Sequence, residues 1–233
     1  AVAASDVLMA AFPEQARALQ SALDLSLGRI ADGPEKAAGI ATGQAAARAA
    51  MQRAMSGDGP VRDYLPAASP GLYVPTELPV LSMTAYRANC WFLSRPDEFA
   101  PGPPPSLDSA GWVGGYDEVR RLGRKSGSER SPAQTAAASF WAGNTPDLAM
   151  RMLSSDPRRP LVQNARLYAL VGMALADATA AVTTAKYDNH FWRPITAIRN
   201  GDSDGNDATR PDGAWEPLLR TPAHPEYPCG HCI

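Results

Sequence analysis

Apolar residues near the start of the chain fall at Leu8, Phe12, Leu19, Leu23 and Leu27, spaced by fours and a seven. That spacing describes a helix with one buried stripe. Asp32-Gly33-Pro34 interrupts it, and Pro34 suits the first turn of a second helix running from Glu35 to Met55. Gly57-Asp58-Gly59-Pro60 closes that one. Residues 1–56 are therefore predicted to form a helical hairpin.

Residues 57–110 read differently. Pro60, Pro66, Pro70, Pro75 and Pro79 leave little periodicity, so a long ordered loop is predicted over 57–80. The Trp91-Phe92-Leu93 cluster follows, then a second break at Pro101-Gly102-Pro103-Pro104-Pro105. Helical patterning returns in residues 111–233, with a short helix from Tyr116 to Arg124. Ser131-Pro132-Ala133-Gln134 reads as a cap with proline at the first helical position, starting a helix toward Trp141. Leu148–Leu153 makes another short helix. Leu161–Tyr187 is the longest, apolar nearly all round and hence expected at the centre. No run alternates β-branched residues at period two, so the fold class is all-α. The expectation is one helical domain over 1–233, a bundle with long ordered loops.

Composition narrows the partners. With 233 residues, 45% hydrophobic and 20% charged, the chain resembles an ordinary globular protein. A net charge of −2 offers no basic face, so no nucleic acid is expected as a partner. The longest strongly apolar stretch, Leu167–Ala176, is about half of what a bilayer crossing requires, so no membrane span is expected. Ala1–Ser5 lacks the basic and apolar regions of a signal peptide. Three cysteines, Cys90, Cys229 and Cys232, do not make a disulfide framework. A Cys229–Cys232 pairing is left open, as is self-association into a homo-oligomer.

The candidate chemistry is concentrated at one end. All three histidines, His190, His224 and His231, lie in the last 44 residues with Lys186, Arg193 and several aspartates. Lys186 and Arg193 are seven apart, about 10 Å along a continuous helix. Pro194 disfavours helix at Arg193 and suits the start of a new one. The predicted arrangement has Lys186 ending the central helix, Arg193 opening the next, and both directed at one pocket. Two cations leaving an apolar element need an anion. A planar fork beside a point charge suits an oxyanion. Downstream, His224-Pro225-Glu226-Tyr227-Pro228-Cys229-Gly230-His231 combines two stiffening prolines with Gly230, which admits backbone close to a ligand. A helix starting there would favour an anion, with His231 in reach as a proton donor or acceptor.

Other polar groups fit structural roles better. Asp177 lies about 900° of helix rotation from Lys186, so a packing or hydrogen-bond role is expected. Asp202-x-Asp204-x-Asn206 has Asp207 and Gly213 where a calcium loop needs Gly and Glu, and reads as a solvated loop. His190 belongs to neither motif and reads as structural. Cys229-Gly230-His231-Cys232 matches the dithiol of disulfide isomerases in type, but that chemistry follows a strand in a βαβ fold, and no strand precedes it.

Lys-x6-Arg-Pro at 186–194, followed by Pro-Cys-Gly-His at 228–231, resembles the vanadium-dependent haloperoxidases and the type 2 phosphatidic acid phosphatase (PAP2) superfamily that shares their site. Pro103–Leu107, Tyr116–Val119, Gln134 with Phe140-Trp141, and Ala174–Asp177 are similar to the bacterial haloperoxidase-like branch, so the resemblance extends over most of the chain. It implies a helical bundle of that type and an exported or periplasmic protein. It also implies a site for vanadate, or for phosphate as its analogue. Lys186 and Arg193 match the cationic pair, Gly230 the amide donor and His231 the acid/base. Cys229 stands at the family's Ser, and His224 where bromoperoxidases also have His in the halide pocket. Thr183 and Thr184 stand where chloroperoxidases carry an aromatic. The third motif, Arg-x5-His, supplies a second Arg and the covalent His; it is absent from the 233 residues and is expected downstream of Ile233.

The implied activity is oxidation of halide, bromide foremost, by hydrogen peroxide at bound vanadate. Two alternatives stand beside it: PAP2-type hydrolysis of a phosphomonoester, and a catalytically inactive helical domain serving in binding or assembly. The 233 residues alone are expected to be inactive, since the third motif is not among them.

Overall fold

The structure, a computed structural model, describes residues 1–55, 67–80, 85–143, 145–156 and 158–232. Much of the loop expected over 57–80 lies outside them. The described residues hold eight α-helices and no strand, which makes the chain all-α. The chain comprises two compact units, residues 1–58 and 59–233.

The first unit contains α1 (Val2–Ala11), α2 (Ala16–Leu27) and α3 (Pro34–Met55). The single helix expected before Asp32 is two. Pro13 has no N–H and disfavours helix at Phe12. The backbone accordingly leaves helical geometry at Phe12 (φ −132°, ψ 68°) and makes a 3-10 turn over Pro13–Gln15 before α2 begins. That bend lets α1 pack on both α2 and α3. Gly43 permits the close approach: a Cβ there would stand 2.8 Å from Val2 Cβ. Val2, Ser5, Leu23 and Ala47 are buried in this unit.

The second unit contains α4 (Ala110–Leu122), α5 (Pro132–Trp141), α6 (Thr145–Ser154), α7 (Leu161–Asn189) and α8 (Pro194–Arg199). Helix α4 starts six residues before the expected position, because Ser109 caps it by accepting from Trp112 N–H at 3.1 Å. Helix α5 starts where its cap signals. Ser131 accepts from Gln134 N–H at 3.2 Å, and the Gln134 side chain returns the bond to Ser131 N–H at 2.8 Å, a reciprocal capping box.

Helix α7 departs from its expectation. Only Asp177, Ala180 and Val182–Tyr187 are buried, while Leu161 and Val162 are 85% and 74% exposed. Apolarity creates the demand for burial, and only a packed neighbour meets it. Over an 18-residue window α7 has mean hydropathy 1.4, so by length and composition it could cross a bilayer, which the ten-residue stretch did not indicate. Its C-terminal part nevertheless carries buried Asp177 and Lys186, both bonded to loops.

The core of this unit gathers Tyr116 from α4, Trp192, Ala197 and Ile198 around α8, and Trp215. Trp112 stacks on Trp192 with centroids 5.8 Å apart and meets Phe191 edge-on at 5.6 Å, favourable aromatic geometries. Tyr116 donates to Arg210 O at 2.8 Å, and Trp215 Nε1 to Arg120 O at 3.0 Å. With a further bond from Tyr116 Oη to Ile198 O at 3.4 Å, they hold residues 210 and 215 and the end of α8 against α4.

Candidate functional site

Lys186 occupies the last turn of α7, and Arg193 is the residue immediately before α8. Between them the helix stops at His190, whose left-handed backbone (φ 50°) ends it. His190 N–H still bonds Lys186 O at 2.9 Å, and His190 O accepts from Tyr73 N–H at 2.6 Å. Residues 191–193 then run extended and are pinned on two sides. Trp192 N–H donates to Gly71 O, and Phe191 O accepts from Glu226 N–H, both at 2.9 Å. The chain reversal and the flanking tryptophan core thus place the two cations about one loop, the segment 225–228.

Both cations are buried, with 4% of Lys186 and 7% of Arg193 exposed. The Lys186 ammonium donates to Pro225 O at 3.0 Å, Glu226 O at 2.7 Å and Pro228 O at 2.5 Å. An ammonium has three donors, and these carbonyls account for three bonds. Arg193 donates through Nη1 to the Glu226 carboxylate, whereas its buried Nε has no acceptor among the described residues.

Lys186, Arg193, His224, Cys229, Gly230 and His231 all line a single cleft of about 850 Å³. His224 is half-buried, and its Nδ1–H donates to Pro225 O at 3.0 Å. Burial disfavours its charged form and lowers its pKa, an effect that nearby Arg193 and Lys186 reinforce. Cys229 is a free, exposed thiol and His231 is exposed. Gly230 begins a 3-10 turn, Gly230–Cys232, at the place where a helix start was considered for anion binding. A Cβ on Gly230 would meet only Lys186 Cε, at 3.7 Å, so that side of the turn is open.

Asp177 serves α7 away from this cleft. Its carboxylate accepts from Trp91, Phe92 and Leu93 N–H at 2.5, 2.7 and 3.1 Å, tying the aromatic loop to the helix. Asp204 is likewise occupied internally, accepting from Trp112 Nε1 at 2.9 Å and from Thr209 Oγ1. Among the described residues no group of three or more His, Cys, Asp or Glu could hold a metal ion. Glu226 escaped the sequence reading. An acidic residue between two cation-bearing motifs was the available signal, but nothing local announces a partner 33 residues away.

A buried guanidinium N–H without an acceptor, beside a second buried cation in an open cleft, fits an anion. Beside this geometry, the comparisons with known proteins support a relationship to the vanadium haloperoxidases. A family model, the VCPO second helical-bundle domain, matches residues 166–233, the stretch holding every candidate residue. The vanadium chloroperoxidase of Curvularia inaequalis is 28% identical over 179 residues, covering 60% of this chain and 28% of that protein. The fold is similar to that of the solved structure described as the first bacterial vanadium-dependent iodoperoxidase, with a TM-score of 0.69 at 22% identity. That match covers 94% of this chain and 56% of the other. The chain thus spans roughly a quarter to a half of the length of these relatives.

Proposed function

We propose that this chain supplies the first part of a vanadate site in a peroxidase that oxidises halide, with bromide foremost, using hydrogen peroxide. The observation that carries the reading is the convergence of Lys186, Arg193, Cys229, Gly230 and His231 on one cleft, with Arg193 Nε buried and lacking an acceptor among the described residues. Bound vanadate would supply a Lewis acid toward peroxide. Arg193 Nε and the Gly230 amide would hold oxyanion oxygens. Lys186, with its donors on three carbonyls, would contribute positive potential while it anchors the loop. His231, exposed at the cleft, would accept and return a proton, and His224 would border the halide position.

The test is a full-length preparation loaded with orthovanadate and assayed for peroxide-dependent oxidation of bromide, iodide and chloride. Hydrolysis of p-nitrophenyl phosphate without vanadate is the parallel arm. Bromide oxidation lost in Lys186→Ala and His231→Ala supports the reading. Phosphate ester hydrolysis without halide oxidation transfers the same site to a phosphatase. Neither activity, with oxyanion binding retained, favours an inactive binding domain, for which the commitment of Lys186 to three carbonyls already speaks.

A further inference from the structure

The residue that joins the two cations of this cleft is Glu226. Its N–H donates to Phe191 O at 2.9 Å, its carbonyl accepts from Lys186 Nζ at 2.7 Å, and its carboxylate accepts from Arg193 Nη1. The Arg193 side chain is 9% exposed and that of Glu226 is 36% exposed, so the pair bridges the buried floor of the cleft and its wall. Because the guanidinium is planar and rigid, holding Nη1 constrains the direction in which Nε–H points. Nη1 is taken, and the Nε–H remains buried without an acceptor among the described residues.

We propose that Glu226 is a positioning residue for oxyanion binding: its carboxylate clamps the Arg193 guanidinium through Nη1 and thereby presents Nε to the ligand. The proposal rests on the reading of the cleft as an oxyanion site. It carries a discriminating sign. A carboxylate beside two cations also cancels part of their field, so a purely electrostatic Glu226 would weaken the binding of an anion. Removing it would then tighten binding. A clamp does the opposite, because a guanidinium free to rotate must be ordered again by the ligand, at a cost in side-chain entropy.

The experiment titrates orthovanadate, and separately inorganic phosphate, into the full chain and its variants Glu226→Ala and Glu226→Gln. Glutamine keeps an acceptor oxygen for Nη1 and discards the charge. The clamp predicts that Glu226→Ala binds orthovanadate about tenfold or more weakly, the range for losing a partner that orients a ligand-binding group. Glu226→Gln binds at least as well as the parent. Nuclear magnetic resonance of the Arg193 side chain gives a readout that general loosening does not reproduce. The Arg193 Nε–H signal is expected to exchange slowly in the parent and Glu226→Gln, and rapidly in Glu226→Ala, with other amides unchanged.

Binding by Glu226→Ala equal to or tighter than the parent overturns the clamp while leaving the oxyanion site intact. Equal weakening in both variants overturns it too. A parent that binds neither probe overturns the oxyanion reading and the proposal with it.

Discussion

The ammonium of Lys186 lies 2.5 Å from the carbonyl oxygen of Pro228, 42 residues further along the chain. With Pro225 and Glu226 it makes two more such bonds, so a single side chain from α7 fastens the segment that ends in Cys229-Gly230-His231.

Lys186→Ala removes all three bonds at once and leaves carbonyls without a donor. Hydrogen bonds from charged groups are worth more than neutral ones, and orphaned buried acceptors add a penalty. The expected loss is roughly 3 kcal/mol of unfolding free energy, measured by urea denaturation. A change below about 1 kcal/mol would show that solvent replaces the ammonium at little cost.

Asp177→Ala tests the other anchor of α7. Its carboxylate holds three successive backbone N–H groups, Trp91 to Leu93, and losing charge-assisted bonds of this kind costs about 3 kcal/mol. Orthovanadate affinity is expected to stay within twofold of the parent, roughly 0.4 kcal/mol, since Asp177 does not line the cleft. A large loss of affinity at unchanged stability would place Asp177 in the site instead.

Gly201 marks a packing limit. A Cβ there would stand 2.2 Å from Tyr116 Oη and 3.1 Å from Pro211 N, so Gly201→Ala must displace a buried tyrosine. Overpacking of this kind costs about 1–3 kcal/mol. Tyr116→Phe removes the nearest atom, and the double variant is expected to be more stable than the sum of the single effects predicts. Strict additivity would refute the contact.

His224 gives the stability a pH dependence of known sign. Burial, helped by Arg193 and Lys186, lowers its folded pKa below the ordinary histidine value. The unfolded chain therefore binds the proton more readily. The contribution is fully present above about pH 6.5, the unfolded value, and is lost as pH falls through the lower folded value. His190 is shifted the same way, by burial, so the comparison is between parent and His224→Gln. The variant is expected to show a shallower decline of melting temperature from pH 7 to 5. Parallel curves would refute the assignment.

Cys229 lines the cleft as a free thiol, a weaker donor than a hydroxyl. Cys229→Ser is expected to bind orthovanadate several-fold more tightly, on the order of 1 kcal/mol, measured by titration calorimetry. Unchanged affinity would mean that this side chain does not face the anion.

Residue pattern and sequence spacing determined the local events. Ser131 with Pro132 and Gln134 specified the start of α5, because a capping box involves only neighbours. Pro194 kept Arg193 out of helical geometry and specified the start of α8 by steric exclusion. Lys-x6-Arg-Pro with the later Gly-His turn pointed to the vanadium haloperoxidases, a relationship the comparisons support. The break at Pro13 was legible by the same steric rule, yet the leucine periodicity across it pointed to one helix.

What the tertiary structure decided depends on contacts far apart in sequence. The partners of Lys186, Arg193 and Asp177 lie between 33 and 86 residues away. No local propensity encodes which carbonyl or carboxylate arrives there. The same is true of α7: its sequence fixes an apolar helix, but burial is a property of the neighbours it meets, and among the described residues they cover only its C-terminal part. The kinds of groups at the site were thus written in the chain, and their bonding was settled by packing. A guanidinium attracts any anion within reach, and only the fold determines that the first one it meets is Glu226.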